Sequence, residues 1–186
     1  MAHNHNVYNI DKITLFNITY GDIKRIQNKI IVPIGYNDTR FLIKVTNTEC
    51  ILYEPTYIAL RGEELEKFIC NIENKIVNDI KKLGKKWNLP NNLKYVSLIT
   101  EYKDINIIKI AFNEIKPVIY NNKNEIIEYT LSTKGTMKSL LEVKDLVIDN
   151  TTKLIYINIV IHQLKFIELE TFTQITEYVL SDSSVF

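Results

Sequence analysis

Glycine and proline are scarce in this chain, five and four among 186 residues, which leaves little room for backbone loops that cradle phosphate. Neither G-x-x-x-x-G-K-[ST] nor G-x-G-x-x-G occurs, and there is no G-x-S-x-G elbow or H-E-x-x-H pair. Two cysteines, Cys50 and Cys70, are too few for a disulfide scaffold and are not at metal-ligand spacing, so a reducing compartment is the simplest setting. Of the three histidines, His3 and His5 lie in the amino-terminal segment and His162 in an alternating run, where a structural role is the simpler reading. No metal and no cofactor is expected. The carboxylates Glu63, Glu64, Glu66, Asp145 and Asp149 are scattered, without a convergent pair for acid–base or two-metal chemistry. Excess charge is also missing: Lys and Arg number 23 against 22 for Asp and Glu, a net of +1. Any anion site must therefore be a local patch and not a global field. No apolar run approaches the roughly eighteen residues of a membrane span, and "MAHNHNVYN" has no signal-peptide core. The expectation is a non-enzymatic, non-secreted protein of cytoplasm or nucleus.

What the chain does have is isoleucine, asparagine, lysine and tyrosine, residues of A/T-rich codons, with 46% hydrophobic and 24% charged residues overall. That composition suits one globular domain over about 11–170, with a disordered segment at 1–10 and a tail at 171–186. The first third reads as β. In "VPIGYNDTRFLIKV" two β-prone runs flank a polar turn, and strand alternation sends Phe41, Ile43 and Val45 to one face and Arg40, Leu42 and Lys44 to the other. Pro33 suits a strand end. A long amphipathic helix is expected over about 62–83, because Leu65, Phe68, Ile69, Ile72, Ile76, Ile80 and Leu83 recur at three- and four-residue steps. Glutamates open it, lysines close it and Gly84 stops it. Hairpins follow around Lys103-Asp104 and around Asn121–Asn124. A short second helix is expected over about 135–143, with Met137, Leu140 and Leu141 inward. A last alternating strand buries Ile155, Ile157, Ile159 and Ile161. This order is that of an OB-fold, a five-stranded Greek-key barrel, here mainly β with extra hairpins; an irregular α+β sheet is the alternative.

The positive chemical signal is an interleaving of aromatic and cationic side chains along these segments. Tyr36, Arg40, Lys44, Tyr53, Tyr57 and Arg61 fall in the first sheet region; Lys85, Lys86 and Trp87 follow the helix; Tyr95, Tyr102, Lys109, Tyr120, Lys134 and Lys138 come later, and of these Lys109, Lys134 and Lys138 join Lys85 and Lys86 as the expected phosphate contacts. Rings stack on bases and cations meet phosphates, so this is the set that single-stranded nucleic acid requires. Tyrosines filling barrel ends and lysines solvating strands are the structural alternative, and for Trp87 a place under the helix is the simpler reading. Convergence of these residues on one face would decide between them. The chain ends "YVLSDSSVF", with Asp182 and a terminal Phe186. This ending resembles a diluted form of the acidic tails with which replication single-strand binding proteins engage partner proteins, though a frayed terminus is the simpler reading.

Read in order, three segments resemble the single-stranded DNA-binding proteins of nucleocytoplasmic large DNA viruses. "IIVPIGYNDTRFLIKV" looks like that family's β-hairpin, and "KFICNIENKIVNDIKKLGKKWN" like its amphipathic helix. "KGTMKSLLEVKDLVIDNTTKLIYINIVIHQLKF" looks like its closing segment of short helix, strand, Asn-containing turn and last strand. Lys44-Val45-Thr46 and "YEPTYIAL" depart from the family pattern. The resemblance implies an OB-fold that coats single-stranded DNA during viral replication, recombination or repair without catalysis. It implies single-stranded DNA as the partner, replication proteins reached through the tail, and the host cytoplasm or nucleus as location; homo-oligomer formation stays open. The rival reading is a viral scaffold or capsid-associated interaction module that binds no nucleic acid.

Overall fold

The computed structural model describes residues 6–53, 57–102, 104–111, 117–127 and 134–170, the side chains of 51–53, 102, 169 and 170 excepted. In chain order the described elements begin with β1 (Val7–Asn9), two 3-10 turns (Ile10–Lys12 and Leu15–Asn17), β2 (Ile18–Tyr20), β3 (Lys24–Ile26), β4 (Lys29–Tyr36), β5 (Thr39–Arg40), β6 (Leu42–Tyr53) and β7 (Tyr57–Arg61). The helix α1 (Glu63–Leu83) follows, then β8 (Lys94–Tyr95), β9 (Ile99–Tyr102), β10 (Ile105–Ala111), β11 (Val118–Tyr120), β12 (Lys134–Asp149) and β13 (Leu154–Glu170). The protein is mainly β with one long helix. Its strands run β11-β13-β12-β6-β7-β10-β9, with β4 on the far half of β12. β10 also comes back into contact with β13, so the sheet curls into a half-barrel. Val7–Asn9, expected within the disordered lead-in, instead pair in parallel with Leu42–Lys44.

The hairpin of β4 and β5 turns on Asn37 and Asp38, both with positive φ (50° and 59°). Two left-handed residues make the turn whose twist matches the flanking strands, and Asn and Asp tolerate that conformation better than other side chains. The alternation read from the sequence holds: Phe41, Ile43 and Val45 are buried, while Arg40 and Lys44 point the other way, to solvent. Pro33 lies inside β4 and not at its end. Its carbonyl accepts from Gly21 N at 2.9 Å. Its nitrogen points to that same side, toward the connection between β2 and β3, where no ladder donor is required.

α1 covers the inner face of the sheet with Leu65, Phe68, Ile69, Ile72 and Ile76, and Phe68 meets Phe41 edge-on at 6.3 Å. Each of these side chains contributes roughly 1.5–3 kcal/mol by leaving water. Trp87, just past the helix, is buried against Tyr20 at 5.2 Å. Glu73 on the same helix accepts from Leu98 N at 2.7 Å and Ser97 Oγ at 2.8 Å, which fixes the chain entering β9.

The expected helix over 135–143 is absent; Lys134–Asp149 form β12, a strand central to the sheet that pairs with β13 along its length and with β6 and β4 on its other side. The segment reads both ways. Met137, Leu140 and Leu141 fit a helical face, but Gly135, Met137, Ser139, Leu141 and Val143 fit a strand face, and all five are buried. Two continuous ladders outweigh the local preference. Gly135 marks the close approach: a Cβ there would lie 2.1 Å from the Glu168 carbonyl oxygen.

Candidate nucleic-acid interface

The face of the sheet opposite α1 is where the polar half of each alternating strand ends up. Register places its side chains in rows across the strands. Lys109 pairs with Ala59, Ala59 with Ile51 and Ile51 with Lys134, so Lys109 on β10 and Lys134 on β12 share a row. The next row holds Arg61, Glu49 and Thr136, and Glu168 continues it. Beyond it Lys138 pairs with Lys165, and Lys165 with Tyr120 on β11. The row after that holds Lys44, Leu140, Gln163 and Val118. Lys44, Arg61, Lys109, Lys134, Lys138 and Lys165 thus collect on one face from five strands, and among the described residues the acids at register positions in the same rows are Glu49, Glu168 and, opposite Lys134, Glu170.

Two details give this face its character. Lys109 Nζ lies 5.4 Å from the centre of the Tyr57 ring, a cation over an aromatic face. Lys138 and Lys165 stand directly opposite each other on neighbouring strands. Like charges in that position cost about 0.2–1 kcal/mol, a repulsion that an anion lying between them removes. Arg61 meets Glu49 at 3.4 Å, both half exposed, a pair loose enough to exchange with another anion.

Not every residue picked from the sequence belongs here. Tyr36 is 3% exposed: its ring stacks on Phe41 at 4.9 Å, packs edge-on against Tyr8 at 4.5 Å, and its hydroxyl accepts from Thr14 N at 2.9 Å. It is a core side chain and offers no face to a base. Arg40 is on the outer face but committed. Its Nε and Nη2 donate to the two carboxylate oxygens of Glu142 at 2.8 and 2.5 Å, and His162 Nε2 lies 2.8 Å from the same carboxylate. Burial pushes the Glu142 carboxyl up, but the hydrogen bonds from Arg40 and His162 outweigh it and hold the group below the usual carboxylate range. The Arg40 guanidinium is correspondingly held more tightly protonated by its hydrogen bonds to Glu142. Lys85 and Lys86 are exposed at the end of α1, on the helix side of the sheet, away from Lys44 and Lys138. The side chain of Tyr53, and Asp182 and Phe186 of the tail, lie outside the described residues. So do His3 and His5.

Lys165 was not among the residues picked out by sequence, and Tyr120, though part of the aromatic–cation interleaving, was not among the expected DNA contacts. The only local signal was the alternation of the last strand, which puts Lys165 on the polar face; its neighbours Lys138 and Tyr120 become visible through the strand register alone. Cys50 is buried in the core, where desolvation pushes its thiol far up, so it stays protonated and inert. Among the described residues no three His, Cys, Asp or Glu side chains gather as metal ligands, and no helix is long and apolar enough to cross a membrane.

Fold and site together define a mainly β protein with a cationic, tyrosine-bearing sheet face. No protein-family model and no curated protein matches the chain. Among solved structures it is similar to the single-stranded DNA-binding protein from bacteriophage Enc34, at 15% identity over 88% of this chain and 98% of that one, TM-score 0.49. It is also similar to the same phage protein in complex with single-stranded DNA, at 16% identity over 80% of this chain and 94% of that one, TM-score 0.42. A third is gp2.5, a single-stranded DNA-binding protein encoded by bacteriophage T7, at 11% identity over 73% of this chain and 91% of that one, TM-score 0.46.

Proposed function

We propose that this chain is a non-enzymatic, sequence-tolerant single-stranded DNA-binding protein acting in viral DNA replication, recombination or repair. One observation carries the reading: β6, β7, β10, β12 and β13 each contribute a cation to one sheet face, in a protein whose net charge is only +1. With cations and anions nearly equal in number over the chain, six cations in adjacent rows against three acids among the described residues make a local anion site. The reader is single-stranded nucleic acid because Tyr57 supplies a ring among the cations. Base stacking is indifferent to sequence, so affinity comes from backbone charge and ring contacts together. Membership of the family of nucleocytoplasmic large DNA viruses, placement in the host cytoplasm or nucleus, and engagement of replication proteins by the tail belong to the same proposal and are supported by sequence alone.

Fluorescence titration with oligo-dT at two salt concentrations tests it. Binding tighter than about 10 µM at low salt is expected, weakening steeply as salt rises and counterions compete. A protein that fails to bind at low salt is not a nucleic-acid coat. The rival reading, an interaction module, draws on one observation: Phe16, in the turn before β2, is 90% exposed. Under that reading Phe16→Ser abolishes a protein contact; under the proposal it leaves oligo-dT affinity unchanged.

A further inference from the structure

We propose that Tyr120 is a second base-stacking platform, at the opposite end of the cationic face from Tyr57, with Lys165 and Lys138 holding the phosphate beside it. The inference rests on the single-stranded DNA reading and extends the same site. β11 runs parallel to β13, with Ile119 buried opposite Leu164 and Tyr120 opposite Lys165, so Tyr120 is directed to the outer face, where it is half-buried. Its row continues through Lys165 to Lys138 on β12. A ring at the end of a row, with Lys165 next to it and Lys138 beyond, sets an aromatic beside cations at the far edge of the sheet from Tyr57 and Lys109.

The segment that carries Tyr120 is held rigidly. In the turn after it, Asn121 Oδ1 accepts from Lys123 N at 2.9 Å and Glu125 N at 3.0 Å, while Asn121 Nδ2 donates to Glu125 Oε2 at 2.7 Å. Lys165 Nζ donates to Asn124 Oδ1, which ties the turn that follows Tyr120 to β13. Such pre-organisation limits the ordering cost when a strand binds.

The two rings set a length. From β7 to β11 there are four strand spacings of about 4.8 Å, and from the Tyr57 row to the Tyr120 row three same-face steps of about 6.7 Å. On a flat sheet that diagonal is about 28 Å, and the curl shortens the straight line. At about 3.4 Å per stacked nucleotide the track holds about eight nucleotides or fewer, inside the usual range of about 4–16 per OB-type fold. A strand of four bases therefore reaches one platform, and a strand of eight reaches both.

The experiment is fluorescence anisotropy with labelled dT4, dT8 and dT16 at low salt, for the wild type, Tyr120→Ser and Tyr120→Phe, with thermal melts of all three. Wild type should gain affinity sharply between dT4 and dT8. Tyr120→Ser should bind dT8 and dT16 roughly 5- to 150-fold more weakly, losing most of that gain, while Tyr120→Phe retains it. Ultraviolet crosslinking of dT16 to the wild type should label the peptide containing Tyr120, a readout independent of how the variants fold. Unchanged binding by Tyr120→Ser, with no crosslink on that peptide, overturns the second platform and leaves the single-stranded DNA reading standing. A wild type that binds no oligo-dT removes both.

Discussion

Replacing Arg40 by alanine should cost stability and spare DNA binding, the reverse of what its position among cations and aromatics in the sequence suggests. The guanidinium donates twice to Glu142, at 2.8 and 2.5 Å, and the Glu142 side chain is 9% exposed against 43% for Arg40. Exposed pairs contribute at most about 1 kcal/mol, and removing one partner of a fully buried pair costs about 3–5 kcal/mol. A pair with one half buried falls between, so the expected loss is about 2 kcal/mol, or about 4–8 °C in melting temperature for a domain of this size. Urea and thermal unfolding, followed by the fluorescence of Trp87, the single tryptophan, measure it directly. The loss also depends on pH. The folded-state pKa of Glu142 is depressed, so the unfolded chain binds the proton more readily. The pair's contribution is present above the unfolded carboxylate value of about 4.3 and disappears as pH falls through the lower folded value. Wild type and Arg40→Ala should therefore differ at pH 7 and converge below about pH 4. An Arg40→Ala protein that melts like wild type at pH 7 but loses oligo-dT binding refutes the reasoning and returns Arg40 to the DNA site.

Gly135→Ala tests the strand over 134–149: with the new Cβ 2.1 Å from a carbonyl oxygen of β13 it should destabilise by about 1–3 kcal/mol in urea unfolding, whereas the same change in a helix would stabilise by nearly 1 kcal/mol. Lys44→Ala with Lys138→Ala should reduce the slope of log K against log salt by about 1.4, two phosphate contacts at about 0.7 each, with a melting temperature close to wild type. Ile72→Ala, at a fully buried position on α1, should cost about 2–5 kcal/mol in chemical denaturation while the salt slope of oligo-dT binding stays that of wild type.

The helix over 63–83 was legible because its apolar period, its glutamate-rich start and its lysine-rich end agree, and nothing at long range had to override them. The β4–β5 hairpin and the two faces of β6 were legible for the same reason, since alternation and turn residues are local. β12 was not. Gly135 and Ser139 occupy inward positions where an apolar residue would have shown the period of two, and the adjacent Leu140 and Leu141 imitate a helical pair. Its state is decided by neighbours from β6 and β13, which no local window contains. Tyr36 was misjudged on similar grounds. Beside a polar turn and Arg40 it looks like a binding residue, and only the rings of Tyr8 and Phe41 closing on it make it core. Of the cations, Lys44, Arg61, Lys109, Lys134 and Lys138 stood out in the sequence only as members of an aromatic–cation interleaving; that they share one sheet face, and that Lys165 and Tyr120 stand beside them, follows from strand pairing, which no local window contains.

The central claim is that DNA lies on the sheet face opposite α1. Lysine acetylation of the whole chain, with and without dT16, followed by mass spectrometry of the modified sites, tests it most directly. Lys44, Lys138 and Lys165 should be protected by the oligonucleotide, while Lys67, Lys81, Lys82, Lys85 and Lys86 on the helix side react as they do in its absence. Protection confined to the helix-side lysines, or spread evenly over both sets, contradicts the claim.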